Sequence, residues 1–550
     1  MTEAGDAGSG EVRKAMLKRR KWIPIAAVFF AITLIAAGLF GYNLVKLNIL
    51  VTDYLLLVFA IMVLFLYVTG VLLFYGLHRK RSVARRVRRI IGIVLSVIMT
   101  AGCLVGAYVL HGANKTKEAI TSRPESDVKA LVGVYVKTDD PAQSLSDMKD
   151  YSFAVLGELG DEKLNSNYAI GRIGEKLGSV PKTVSYNGVV DAAVALRDGD
   201  VQALVVNKSH LPLLEGFEST SGLIKELRLV EEISVPTSAT LDNTPIVIEY
   251  SEPAPESTPE PTPEPTPEPT PEPPVYGEND TLVFFMSGVD KWEEGVSNTH
   301  SDVNILMLVN TKTRQILLIS TPRDFFVRNP HLNSGDKLTY CGIWGVDVSI
   351  AALEEFYGVD IDNYVKINFT GFEEFVEALG SITVENPVAF DSVGRVGPVH
   401  FDQGSLVLNG YEALVYARER HAFGAGDLAR GANHLRVLTA IIERMKHVSP
   451  SILLNYPAIM ASLEGSLETD LTSDQISDLL KIALQYVNDW DVKSYAVIGD
   501  SAMRVCASSG QLEYIIVHRQ LSVDFAIRLM NTILDDELIT DELLAEAPFT

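Results

Sequence analysis

Apolar residues crowd into three runs at the start of this chain, Trp22–Leu44, Tyr54–Leu77 and Ile90–Leu110. Each is close to the ~20 residues that cross the hydrocarbon layer of a bilayer. Beyond them the pattern changes to short apolar strands alternating with amphipathic helices, in two blocks. In the first, Leu131–Val136 and Ala203–Val206 read as β-branched strands, and Val189–Leu196 as a helix stopped by Gly199. In the second, Leu282–Met286 is a strand, and Val303–Val309 with Gln315–Ser320 flank the hairpin turn Asn310-Thr311-Lys312-Thr313. Tyr364–Phe369 and Ile382–Glu385 add two strands. Thr370-Gly371-Phe372-Glu373 reads as a capping box for a helix ending at Gly380, and Thr472-Ser473-Asp474-Gln475 as another before Ile476–Val487. Leu435–Met445 is a further amphipathic helix.

The blocks are separated by Glu252–Pro274, which holds four Thr-Pro-Glu-Pro units from Thr258. Proline at every second position forbids helix and favours an extended spacer, with a reach of roughly 70 Å at ~3.1 Å per residue. The expected organisation is a basic arm (1–21), three transmembrane helices (22–112), a small accessory α/β domain (123–250), the linker (251–275), a larger domain (276–538) and a short tail (539–550). The fold class is α/β, and the larger domain is a mixed, twisted sheet between helices. The stretch from Gly188 to Asp200, followed by Val201–Val206, loosely resembles part of a solute-binding lobe. An accessory domain without a ligand fits it equally well.

Charge divides the chain in the same place. Residues 1–112 carry 14 Lys+Arg against 4 Asp+Glu, and the rest carries 33 against 66, within a net −23 over 550 residues. Arg13, Lys14, Lys18, Arg19, Arg20 and Lys21 precede the first span as in a signal peptide, yet two more spans follow, so a retained anchor is expected. The loop His78–Arg89 holds seven cations and no acid, which places it and the N-terminus in the cytoplasm and everything after Leu110 outside. Between two spans this run reads as a topology signal touching lipid headgroups, and no nucleic-acid partner is expected. The acidic exterior disfavours polyanions except at a local basic pocket. Cys341 and Cys506 both lie outside, where a disulfide can persist, but counting leaves their pairing open.

Such a pocket is suggested by residues far apart in the chain. Asp290 ends one strand and Asp302 opens the next, so both can face a strand-end crevice, and two carboxylates suit a Mg²⁺ that keeps waters and phosphate oxygens. Pro322 ends a strand and leaves Arg323 just beyond it. Arg418 and Arg420, two apart in an apparent strand, share a face. Guanidinium forks suit bidentate phosphate binding. Taken singly, each arginine is better explained as a solvated partner of Asp324, Glu419 or Asp427.

Taken in order, Ser301–Ile305, Ser320–Asp324, Asp336–Thr339, Val365–Gly371, Leu408–Leu414, Tyr416–His421 and Gly426–Arg430 resemble the LytR–CpsA–Psr family of wall-polymer ligases, over roughly Leu282–Leu538. The resemblance implies that Asp290 and Asp302 bind Mg²⁺ (or Mn²⁺). It also implies that Arg323, Arg418, Arg420 and Arg430 bind pyrophosphate, with Asp427 orienting them or acting as base. Two positions depart from the family pattern: His300 stands where arginine is usual, and His434 where glutamine is. Neutral imidazole at either position would weaken phosphate contact. The implied activity is a phosphotransferase that moves a polyprenyl-pyrophosphate-linked glycopolymer, such as teichoic acid or capsule, onto peptidoglycan and releases polyprenyl phosphate. Val365, Ile367, Phe369, Phe372 and Phe375 are candidates for a lipid slot, or for ordinary core. Hydrolysis of the lipid pyrophosphate is the alternative, and a membrane sensor or regulator a more distant one.

Overall fold

A computed structural model of the chain describes residues 6–50, 52–74, 83–121, 128–156, 160–236, 280–290, 299–393, 398–420, 422, 427–446, 459, 462–486 and 489–548. The proline-rich spacer and most of the basic loop lie outside them.

Three helices open the chain: α1 (Asp6–Leu47), α2 (Thr52–Phe74) and α3 (Val83–Thr121). Their stretches Pro24–Leu47, Thr52–Phe74 and Val87–Ala119 are long and apolar enough to cross a membrane, which marks a membrane-anchored chain. Inside the bundle, Thr33 of α1 meets Ser96 and Thr100 of α3, hydroxyl to hydroxyl, at 2.6 and 3.0 Å. In hydrocarbon such interhelical bonds replace the missing water. Helix α3 does not stop at Leu110. It runs on to Thr121 and reaches the large domain.

The small domain has one five-stranded sheet, built from β1 (Val128–Lys137), β2 (Ser152–Leu156), β3 (Lys182–Tyr186), β4 (Ala203–Asn207) and β5 (Leu227–Pro236), in the order β3-β2-β4-β1-β5. Central β4 is buried at all five positions, as a strand covered on both faces must be. Helix α4 (Gly160–Leu177) covers one face and α5 (Val189–Asp198) the other. Helix α5 ends at Gly199, whose φ of +88° is cheap only for glycine.

Beside the cores that each block has of its own, the two blocks share one. Val189, Leu196, Leu213 and Leu214 of the small domain pack in one buried cluster with Tyr340, Ile343, Cys506 and Ile515 of the large one. The N-terminus of α5 is covered by protein: a Cβ added at Gly188 would lie 2.3 Å from the Ser509 carbonyl. The apolar face of α5, read in sequence as internal to its own block, is the reason the domains fuse.

The large domain contains β6 (Thr281–Val289), β7 (Val303–Asn310), β8 (Gln315–Ser320), β9 (Phe326–Asn329), β10 (Ser334–Lys337), β11 (Asn363–Asn368), β12 (Ile382–Asn386), β13 (Phe390–Asp391), β14 (His400–Phe401), β15 (Gly404–Leu408), β16 (Leu467–Thr469), β17 (Asp491–Ala496), β18 (Gly499–Val505) and β19 (Leu512–His518). Its main sheet is mixed, in the order β16-β11-β6-β7-β8-β17. Strands β6 and β11 are parallel, as are β8 and β17, while β7 runs against both its neighbours. The short helix α6 (Leu338–Cys341) follows β10. Alternation along β7 sends Leu306 and Leu308 to a core with α7 (Val346–Tyr357) and the helix Gln520–Leu534, and Ile305 to a core with α10 (Asp427–Lys446) and the helix Ser473–Gln485. The sheet therefore lies between two helical layers.

Three expectations change. Strand β12 is not in the main sheet and pairs only with β15 in a separate ribbon. The N-cap of helix α8 (Phe369–Leu379) is Asn368, two residues before the expected Thr370, because the Asn368 side chain accepts from Gly371 N–H at 2.7 Å; the helix ends at Gly380 as read. Tyr416–Arg418 is not strand but the end of α9 (Gly410–Arg418), capped by a reciprocal Asn409–Glu412 pair. Cys341 and Cys506 are both buried free thiols.

Candidate functional site

The crevice lies beyond the C-terminal ends of β6, β8 and β11, where ligands of open α/β sheets sit. Asp290 follows β6 and Asp302 precedes β7. The Asp302 N–H donates to the Gly288 carbonyl at 2.9 Å, so the two carboxylates leave adjacent strand ends. Gly288 is required there, since an added Cβ would lie 2.7 Å from the Val303 side chain.

Each carboxylate faces an arginine. Arg323, just past β8, donates from Nη1 to Asp302, and its Nε lies 3.8 Å from Asp324. Arg418 reaches Asp290 at 3.6 Å, with its guanidinium 4.6 Å above the Phe369 ring. Arg418 and Arg420 do not share a strand face: Arg418 is the last residue of α9, and Arg420 lies in the extended connection after it. A helix C-terminus is a favourable place for a cation. The terminal carbonyls of α9 are held from α10, Tyr416 by Asn433 Nδ2 at 3.2 Å and Ala417 by His434. Arg430 sits in the first turn of α10, next to Gly431, where an added Cβ would lie 3.1 Å from Ser320 Oγ at the end of β8. Asp427 opens α10, and its side chain lies outside the described residues.

Both departing histidines are held neutral. Burial, reinforced by Arg430, pushes His434 down to about 3, and its ring serves the Ala417 carbonyl. Burial is also the largest cause lowering His300, whose ring packs 5.5 Å from Tyr340. Among the apolar candidates, Phe372 and Phe375 pack against the core around α9 and β12, and Val365 against Leu282 and Phe284. Phe369, under Arg418, stands at the crevice.

Behind Arg323 runs a chain of largely buried charges that sequence reading missed. Lys337 lies 3.7 Å from Asp324 and 2.8 Å from Glu513, and Glu513 accepts from Tyr340 Oη at 2.6 Å. The signal was partly present, since Asp336–Thr339 stands out as a motif, but nothing local points to Glu513.

Two carboxylates on adjacent strand ends suit a hard divalent cation. The described residues bring together no group of three or more metal-ligating side chains. A cation held there would complete its shell with water and phosphate oxygens, as Mg²⁺ commonly does.

Residues 256–522 match the LytR_cpsA_psr family, from within the spacer to the first turn of the helix Gln520–Leu534. The large domain is thus similar to the LytR_cpsA_psr family over most of its length. Over 205 residues the chain is 31% identical to the polyisoprenyl-teichoic acid–peptidoglycan teichoic acid transferase TagU of Bacillus cereus, covering 37% of this chain and 65% of that protein. With the transferase of the same name from Oceanobacillus iheyensis it shares 30% over 213 residues, or 38% and 64% of the two chains. The match thus spans slightly less than two thirds of each relative. The crystal structure of B. subtilis TagV covers 48% of this chain and 100% of its own, at 24% identity and a TM-score of 0.40. The matched residues include the crevice, whereas the anchor and all described residues of the small domain lie ahead of them.

Proposed function

We propose that the LytR_cpsA_psr domain is a phosphotransferase that moves a polyprenyl-pyrophosphate-linked glycopolymer, teichoic acid or a similar anionic chain, onto a peptidoglycan hydroxyl. The observation that carries this reading is the pairing of Arg323 with Asp302 and Arg418 with Asp290 in one strand-end crevice, within a domain whose relatives are named as teichoic acid transferases. The basic N-terminal arm and loop favour a cytoplasmic N-terminus and a crevice on the outer face.

Mg²⁺, held by Asp290 and Asp302, would neutralise phosphate charge. Arg323, Arg418, Arg420 and Arg430 bind the diphosphate and hold its sugar-linked phosphorus in line with the acceptor oxygen. The acceptor oxygen bonds to that phosphorus as the bond to the bridging oxygen breaks. Polyprenyl phosphate leaves with the bridging oxygen, and the hydroxyl proton passes to a base, for which Asp427 is the candidate. His434 and Asn433 act through the end of α9, keeping Arg418 aimed, and neutral His434 adds no charge. Phe369 gives Arg418 an apolar floor beside which a lipid chain can lie.

Replacing Arg323 by alanine should lower transfer on the order of 10²-fold, as loss of a transition-state donor does. The assay is lipid-phosphate release from a glycan-loaded donor with and without peptidoglycan. Wild-type-like transfer by folded Arg323→Ala overturns the assignment, and release independent of acceptor makes the enzyme a hydrolase.

A further inference from the structure

The backbone of Arg323–Phe325 is gripped from two sides. On one side Thr339 N–H donates to the Arg323 carbonyl at 2.9 Å and Leu338 N–H to the Phe325 carbonyl at 2.8 Å. On the other, Ile516 N–H donates to the Asp324 carbonyl at 2.8 Å. Both gripping segments then turn their next side chains into the small domain: Tyr340 and Ile343 from the first, Ile515 and Cys506 from the second hairpin, all in one core with α5 and Leu213–Leu214. Polar contacts follow the same route. Glu513 receives Ser509 Oγ and Tyr340 Oη and holds Lys337, which lies beside Asp324. At the far end, Gln511 Nε2 donates to Asp191 of α5 at 2.8 Å, and Gly188 admits the Ser509 carbonyl.

We infer that the small domain is a working part of the phosphate site: it clamps the β18–β19 tip and the segment after β10, and Glu513, through Lys337, is a positioning residue for Arg323. The linker would then serve only as the covalent tether between two parts that function as one. The inference rests on the phosphate-binding reading of the crevice, and its alternative is a small domain that merely adds bulk to the fold.

Charge and position predict opposite signs, which makes the idea testable. Glu513→Gln removes a negative charge near an anion site, so charge alone would tighten anion binding. If Glu513 positions, the variant releases Lys337 onto Asp324, disturbs Arg323 and weakens binding. The measurement is calorimetric binding of inorganic pyrophosphate, with Mg²⁺, to the full chain in detergent. It is made for wild type, Arg323→Ala, Glu513→Gln and Gly188→Ala, with thiol labelling located at Cys506 by mass spectrometry. Gly188→Ala should expose Cys506 and weaken pyrophosphate about tenfold or more, and Glu513→Gln should weaken it comparably while Cys506 stays protected. Restored affinity in Glu513→Asp would support the charge pair as the positioning element. Unchanged or tighter binding in folded Glu513→Gln overturns the inference, whether or not Gly188→Ala folds. Equal binding by wild type and Arg323→Ala removes the phosphate reading itself, and this inference falls with it.

Discussion

The large domain meets the rest of the chain at two seams made of different materials. Against the small domain the seam is apolar, with Ile343, Ile515, Leu213 and Leu214 almost wholly buried in a shared core. Against the anchor it is polar and narrow: Lys117 at the end of α3 donates to Ser477 Oγ at 2.9 Å and, within the anchor, to the Leu47 carbonyl of α1 at 3.3 Å, and Thr121 meets Ser473 hydroxyl to hydroxyl at 2.7 Å. Apolar burial is strong and non-directional, so it makes two domains into one cooperative unit. A few hydrogen bonds add little net stability but fix an angle. The small domain is therefore held for stability and the anchor for orientation.

The largest test of this contrast is Ile343→Ala, which opens a cavity in the shared core. A loss of about 2–5 kcal/mol is expected, read as a lower denaturant midpoint for the full chain in detergent. Both domains should unfold together in wild type; two separate transitions would break the comparison. A second test uses pH. Asp336 is wholly buried beside the seam and accepts from Ser508 Oγ at 2.5 Å and Asn329 Nδ2 at 3.1 Å, and burial pushes its carboxyl up to about 7. Below about pH 4 both folded and unfolded states are protonated, and the group costs nothing. Between about 4 and 7 the unfolded chain ionises first, so stability falls as pH rises and then levels off. Asp336→Asn should flatten that slope while leaving the fold intact. An unchanged slope in the variant would assign the pH dependence elsewhere.

Much of this architecture was legible because local chemistry agreed with the global fold. Asn310–Thr313 turns where read, Thr472 and Gln475 cap each other, and Gly380 ends its helix at φ +79°. The failures have definite causes. Arg418 and Arg420 alternate like strand residues, yet Ala413, Tyr416 and Ala417 are buried at helical spacing, and Asn409 with Glu412 was an unread capping box. Asp290, Asp302, Arg323 and Arg418 were visible as types of residue, but their pairing required the sheet order. Glu513 was invisible, since it reaches Arg323 only through Lys337 and Asp324. The seam was hidden by its linker: a proline-rich stretch implies separation, whereas α5 carries more apolar surface than its own sheet covers.

The smallest expected effect sharpens the anchor side. Ser473→Ala removes one hydroxyl pair at a partly buried position, and the net loss should be about 1 kcal/mol or less. Because Lys117 keeps both its partners, the tilt of the large domain over the bilayer should survive, and transfer with a membrane-embedded donor should change little. Orientation can be read directly by pairing Thr121→Cys with Ser473→Cys, since the two hydroxyl oxygens already stand 2.7 Å apart. Oxidation should link them in the full chain without loss of the proposed transfer, because the bond locks an arrangement the structure already holds. If the linked protein lost activity that reduction restored, the anchor seam would have to open during turnover. The polar seam would then be a hinge and not a mount.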